Sequence, residues 1–184
     1  MKNMRRKLKN RAGFTMAEML LAVLILLLVS GLMATGIPAA KNAYEKVVLA
    51  SNAEVLLSTT INELRNELGT ARDVQVSGTT ITYVNSYTSS KSKICLYTGG
   101  TATSDTPNGT IMLQRFVSDG GLGTDSNLNR LTSKAASTGL YATYGSVTYT
   151  NGIVSFTELE IKRKSSEDAL ASLGSLSIRV ISAY

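Results

Sequence analysis

The stretch that decides the fold is Arg11–Met33, RAGFTMAEMLLAVLILLLVSGLM. A basic leader ends here and an apolar run begins. From Phe14 to Ala40 the only charged residue is Glu18. As a helix this span is roughly 40 Å long, enough to cross a hydrocarbon core of about 30 Å. It is apolar on every side, unlike the one-sided stripe of a helix on a soluble domain. Upstream, Lys2, Arg5, Arg6, Lys7, Lys9 and Arg11 supply six positive charges with no acid among them. Such a leader is expected to stay cytoplasmic while the remainder crosses outward. The rest of the chain carries equal numbers of bases and acids, so the net charge of +6 belongs to the leader alone. A basic balance of this kind does not point to nucleic acid.

Composition narrows the chemistry. The chain has 184 residues, no His, no Trp and one Cys. His-based triads and the common zinc sites are excluded, and Cys95 has no second cysteine for an intrachain disulfide. No nucleophile–base pair or metal cluster stands out, so the chain is read as a non-enzyme without a cofactor.

Three readings of the N-terminus compete. It is an uncleaved signal anchor, or a secretory signal peptide cut among Ala34, Gly36, Ala39 and Ala40, or a peptide cut at the junction of leader and apolar run. Glu18 bears on the choice, either as an interfacial acid of a signal anchor reached by water or as one half of a charge pair. A carboxylate inside a membrane helix is costly, and no base lies between it and Lys41. A cut after Gly13 gives Phe14 a free α-amine, largely cationic at neutral pH. Phe14 and Glu18 are one helical turn apart, so the amine is within reach of Glu18 of its own chain or of a neighbouring copy. Glu18 also suits the positive end of the helix dipole.

The string Gly13-Phe14-Thr15-Met16-Ala17-Glu18, after a short basic leader and before the apolar run, resembles the class III signal of type IV prepilins and type II secretion pseudopilins. The resemblance covers roughly residues 5 to 40. It implies cleavage between Gly13 and Phe14 by a prepilin peptidase, N-methylation of Phe14, and a charge-pairing role in assembly for Glu18. It also implies partners: other pilin or pseudopilin subunits through the N-terminal helix, an inner-membrane assembly platform with its ATPase machinery, and membrane lipid before assembly. The implied location is the cytoplasmic membrane, single-pass with the C-terminal domain outside, and then a cell-surface pilus or pseudopilus. Thr15 matches the usual second mature residue. The short leader resembles the type IVa and pseudopilin branch.

Helical character continues past the membrane segment. Leu57, Ile61, Leu64 and Leu68 step by four, three and four, a stripe expected to pack on the C-terminal half of the chain, and Gly69 reads as a C′ stop. Tyr44, Val48 and Val55 lie on another side, and Leu49 and Leu56 on a third. Gly36 and Pro38 mark an expected helix kink, since a proline ring in a helix interior costs about 3 kcal/mol. In pilins the corresponding stretch resembles a segment that bends or unwinds on packing.

From residue 69 onward short β-type runs recur: Asp73–Val76, Thr79–Asn85, Ile94–Tyr97, Ile111–Val117, Ser146–Thr150, Ile153–Lys162 and Leu176–Ser182. Asn151-Gly152, between VTYT and IVSF, is the strongest hairpin signal; Asn108-Gly109 is a weaker copy that also explains the sequon Asn108-Gly109-Thr110 as a turn. Ser165–Leu173 reads as a short capped helix or a loop, and Asp119–Arg130 as a long exposed loop. Asp125, Asn127 and Asn129 imitate half of a calcium loop, but Arg130 replaces the required Gly and Ala136 the closing Glu, so no metal is expected. Cys95 in ICLY is read as a buried small hydrophobe. Lys162, Arg163 and Lys164 read as a solvated strand end, and nucleic acid is not expected.

The resulting architecture is α+β: a long N-terminal helix, its first half transmembrane and its second half amphipathic, packed on a C-terminal antiparallel β-sheet in a pilin-like layout. Its segments are the cleaved leader 1–13, the membrane and fibre-core half 14–40, the amphipathic half 41–68 and an extracytoplasmic β-rich domain 69–184. The function expected is that of a prepilin-like structural subunit of a pilus or pseudopilus. The absent Cys pair and the helix tail NELRNELGTARDVQV, which resembles minor pseudopilins, tilt this to a minor subunit. The alternatives are a secreted β-rich binding protein released near Gly36–Ala40 and a DNA-uptake pseudopilin.

Overall fold

The computed structural model describes residues 14–87, 89–99, 106–115, 128–132 and 139–181. Two compact units meet between Lys46 and Val47. A single α-helix, α1 (Met16–Gly69), belongs to both.

In the first unit the large apolar side chains from Met19 to Met33 are all exposed. The helix there is long and apolar enough to cross a membrane. Its assignment runs without a break through Gly31, Gly36 and Pro38. Thr35 Oγ1 donates back to the carbonyls of Gly31 and Leu32 at 3.4 and 3.3 Å, a habit of hydroxyls inside helices.

In the second unit the last turns of α1 pack on antiparallel β-sheets, which makes the class α+β. The first sheet has strand order β1 (Ala71–Ser77), β2 (Thr80–Asn85), β3 (Lys91–Leu96), β4 (Ile111–Arg115) and β5 (Leu128–Arg130). In the second, β8 (Ile153–Arg163) is central. It pairs along one edge with β7 (Ser146–Thr150) and then β6 (Leu140–Thr143), and along the other with β9 (Ser166–Arg179).

Local sequence explains several of these elements. Asn151 and Gly152 both take positive φ, 52° and 76°, and bring Thr150 opposite Ile153. This is the two-residue turn whose twist matches that of its strands, so the expected hairpin forms. Gly78, at φ 60°, turns β1 into β2. Where β8 passes from β7 to β6, Glu158 has φ 52°, and Gly145 faces it so closely that a Cβ there would lie 2.6 Å from the Glu158 carboxylate. The Asn108-Gly109 pair also forms a turn, with Gly109 N–H donating to the Tyr97 carbonyl at 2.7 Å.

The core joins helix and sheets. Ala53, Leu56, Leu64 and Leu68 are buried with Ile81, Tyr83, Ile94, Phe156, Leu159 and Ile161. The stripe predicted from Leu57 and Ile61 is therefore rotated: both are only partly buried, while Leu56, assigned to another side, is buried. The seam also includes Thr60 and Glu67, polar residues that a count of apolar positions passes over. Tyr44 and Val55 remain exposed, as expected of faces without an internal partner. Tyr144 stacks edge-on with Phe156, centroids 5.2 Å apart, and donates its hydroxyl to the Thr79 carbonyl.

Three further expectations are corrected. Ser165–Leu173 is neither helix nor loop; residues from Ser166 onward lie in β9, whose long pairing with β8 supplies the backbone partners. Gly69 is the last helical residue, without positive φ, so it is no left-handed stop. Its carbonyl instead accepts from Ile181 N–H at 2.9 Å, and the Thr70 carbonyl accepts from Ser86 Oγ. Within Asp119–Arg130, residues 128–130 form β5, with Asn129 opposite Leu113 and Arg130 opposite Met112. Asp125, Asn127 and Ala136 lie outside the described residues. Cys95 is buried beside Tyr97 and Met112.

Candidate functional site

The candidate site lies at the start of α1. Thr15 precedes the first helical residue, and its carbonyl accepts the first helical hydrogen bond, from Met19 N–H at 3.2 Å. Thr15 is thus the N-cap and Glu18 the third residue of the helix. The two side chains satisfy each other's backbone. Glu18 N–H donates to Thr15 Oγ1 at 3.2 Å, and Thr15 N–H donates to Glu18 Oε2 at 2.8 Å. Thr15 Oγ1 also donates to Glu18 Oε2, at 3.0 Å. This is a capping box, which closes two of the amides that a helix start leaves open.

The geometry alters the meaning of Glu18. Its carboxylate is held over the first turn, where the helix dipole favours negative charge. Oε2 carries the contacts to Thr15, and Oε1 makes no hydrogen bond with any described residue. The signal was present in the sequence: Thr-x-x-Glu ahead of an apolar run is the capping-box pattern. Reading Glu18 only as an unpaired membrane acid passes over Thr15's part in holding it.

The other expected site residues are spread out. Phe14, at the proposed new terminus, is 81% exposed. Gly13 lies outside the described residues. Gly36 and Pro38 sit well inside α1, about two dozen residues from the cap, and share no contact with it (each residue adds roughly 1.5 Å of helix). No group of three or more His, Cys, Asp or Glu side chains placed to hold a metal occurs among the described residues.

Residues 8–34 match the family model described as the prokaryotic N-terminal methylation motif. They carry a class III signal of the type IV prepilin kind. The match covers the last part of the basic leader, its junction with the apolar run, the capping box and most of that run. Searches of curated proteins and of solved structures found no match to the chain. The motif implies processing by a prepilin peptidase and assembly with pilin-like subunits in general terms. Motif and apolar helix together are consistent with a membrane-anchored protein that is later assembled at the surface.

A second polar constellation escaped sequence reasoning. Glu67, near the end of α1, is 7% exposed. Its Oε2 accepts from Tyr83 Oη at 2.9 Å and from Asn85 Nδ2 at 3.1 Å, and its Oε1 accepts from Arg115 Nη2. Burial and the neighbouring Glu67 carboxylate push the Tyr83 hydroxyl well above its ordinary range. The same carboxylate raises the Arg115 guanidinium further by hydrogen bonding and charge. The cluster ties helix, β2 and β4 together, so its chemistry is structural.

Proposed function

We propose that the chain is a prepilin-like structural subunit, cut between Gly13 and Phe14, N-methylated on Phe14 and assembled through α1 into a type IV pilus or pseudopilus. The observation that carries this reading is the capping box within the methylation motif. It places an acid at the start of an apolar helix with one carboxylate oxygen held by Thr15 and the other open among the described residues. Cleavage puts a cationic amine one residue before Thr15, and that amine is the natural partner for the open oxygen, in the same chain or across to a neighbour. The exposed Leu and Val faces of α1 then leave lipid for neighbouring helices. The β-rich domain faces outward. The role is structural rather than enzymatic, and the absent Cys pair favours a minor subunit.

The deciding experiment is the intact mass of the protein from the membrane fraction. The expected result is a chain beginning at Phe14 and carrying one added methyl group. A chain beginning near Ile37 or Lys41 points to a secreted binding protein released by ordinary signal peptidase. The full-length mass points to an uncleaved signal anchor. Either outcome refutes the subunit reading.

A further inference from the structure

An open cleft of about 330 Å³ lies at the tip of the β8–β9 hairpin. Tyr141 of β6, the Pro107-Asn108 turn and the tip residues from Arg163 to Ser166 line it. Both walls are held by hydrogen bonds. Thr110 Oγ1 donates to the Pro107 carbonyl at 2.7 Å, and Gly109 N–H to the Tyr97 carbonyl at 2.7 Å. On the other side Lys164 N–H donates to the Gly139 carbonyl at 2.9 Å, and Ser166 Oγ to Asp168 Oδ2 at 2.9 Å. A preorganised site of this kind loses little entropy when it is filled.

The lining has a specific chemical character. Of the three consecutive bases at this hairpin end, Lys162 is neutralised by Glu160 at 3.1 Å, and Lys164, a second cation in the lining, has an interaction of its own. The Arg163 side chain is in no ion pair or hydrogen bond with any described residue. A guanidinium fork suits a planar carboxylate. Ser165, Ser166 and Asn108 bring hydroxyl and amide groups, and Tyr141 brings one half-buried aromatic ring. The volume lies at the small end of ligand sites, room for about one ring-sized unit. A single aromatic and a charge-balanced chain beyond the leader disfavour a nucleic-acid track, which takes successive stacking rings in a positive groove.

We propose that this cleft binds an acidic sugar, a hexose bearing a carboxylate, at the end of a surface glycan. Arg163 clamps the carboxylate, Tyr141 supports the sugar ring, and Ser165 and Asn108 meet its hydroxyls. The proposal stands independently of filament assembly.

The test titrates glucuronate into the detergent-solubilised mature chain by saturation-transfer NMR, with glucose, inorganic phosphate and a short single-stranded oligonucleotide as comparators. Glucuronate is expected to bind saturably, with glucose and phosphate weaker by about tenfold or more, as loss of the charged fork or of the ring contacts implies. Arg163→Ala should weaken glucuronate by a similar factor without shifting the melting temperature, and Arg163→Lys should fall between. Should Tyr141→Ala fail to fold, the exposed Arg163 variants still decide the matter. Absence of saturable glucuronate binding, phosphate binding as tight as glucuronate, tighter binding of the oligonucleotide, or an unaffected Arg163→Ala each overturns the proposal.

Discussion

Replacing Glu67 by alanine removes one carboxylate from three partners at once. Tyr83 is 1% exposed and loses the acceptor for its hydroxyl, and the buried Asn85 loses one of its contacts. A buried donor left without its partner costs about 1–3 kcal/mol. The ion pair adds little, because the Arg115 side chain is 61% exposed and turns to water, as surface pairs worth under about 1 kcal/mol do. Asn85 keeps other interactions, so its share is the smaller one. The expected loss is therefore about 2–4 kcal/mol. For a chain of this size that lowers the melting temperature by roughly 5–15 °C. Glu67→Gln keeps a carbonyl for Tyr83 and should lose only about half as much. The assay is thermal unfolding of the detergent-solubilised protein followed by near-ultraviolet tyrosine dichroism, since the chain has eight Tyr and no Trp. A shift of less than about 3 °C for Glu67→Ala would show that the cluster does not hold helix to sheet.

At the helix start, Glu18→Ala or Glu18→Val should leave cleavage largely intact yet impair incorporation into filaments, read on quantitative blots of sheared filaments; wild-type incorporation refutes the pairing role. Thr15→Ala should show a weaker form of the same defect and Thr15→Ser should not, because serine keeps the cap; equal behaviour of the two variants dismisses the capping box as a contributor. Gly152→Ala forces a side chain into φ 76° and should cost about 1–2 kcal/mol in urea unfolding, whereas a neutral result removes the strain argument. Tyr83 and Tyr144 are both raised by burial above the ordinary value of 10.0, so folding favours their neutral forms. Their contribution is fully present below that value and is lost as pH climbs past it. Stability should therefore decline above pH 10, and Tyr83 and Tyr144 should ionise only on unfolding; full phenolate titration in the folded state contradicts this.

Elements written in neighbouring residues were legible in the chain. The Asn151-Gly152 turn, the runs that became β7 and β8, and the continuous helix each depend on contacts within a few positions. The capping box was equally local, and Thr15 and Glu18 displayed it. Features that join distant segments were not legible. The first half of β9, expected as a short helix or a loop, became strand because β8 lay ready to pair with it along its length. The buried face of α1 turned toward Leu56, Thr60 and Glu67 because Tyr83, Asn85 and Arg115 lay opposite.

By itself the amino-acid order determined the processing signal, the apolar span and the acid at its head, since each rests on composition and on spacing of one helical turn. Tertiary structure alone decided the division into two sheets, the polar seam at Glu67 and the cleft beside Arg163. Those depend on which side chains meet after residues 16 to 48 positions apart are brought together, as in the Glu67 contacts with Tyr83 and Arg115, and no local pattern records that encounter.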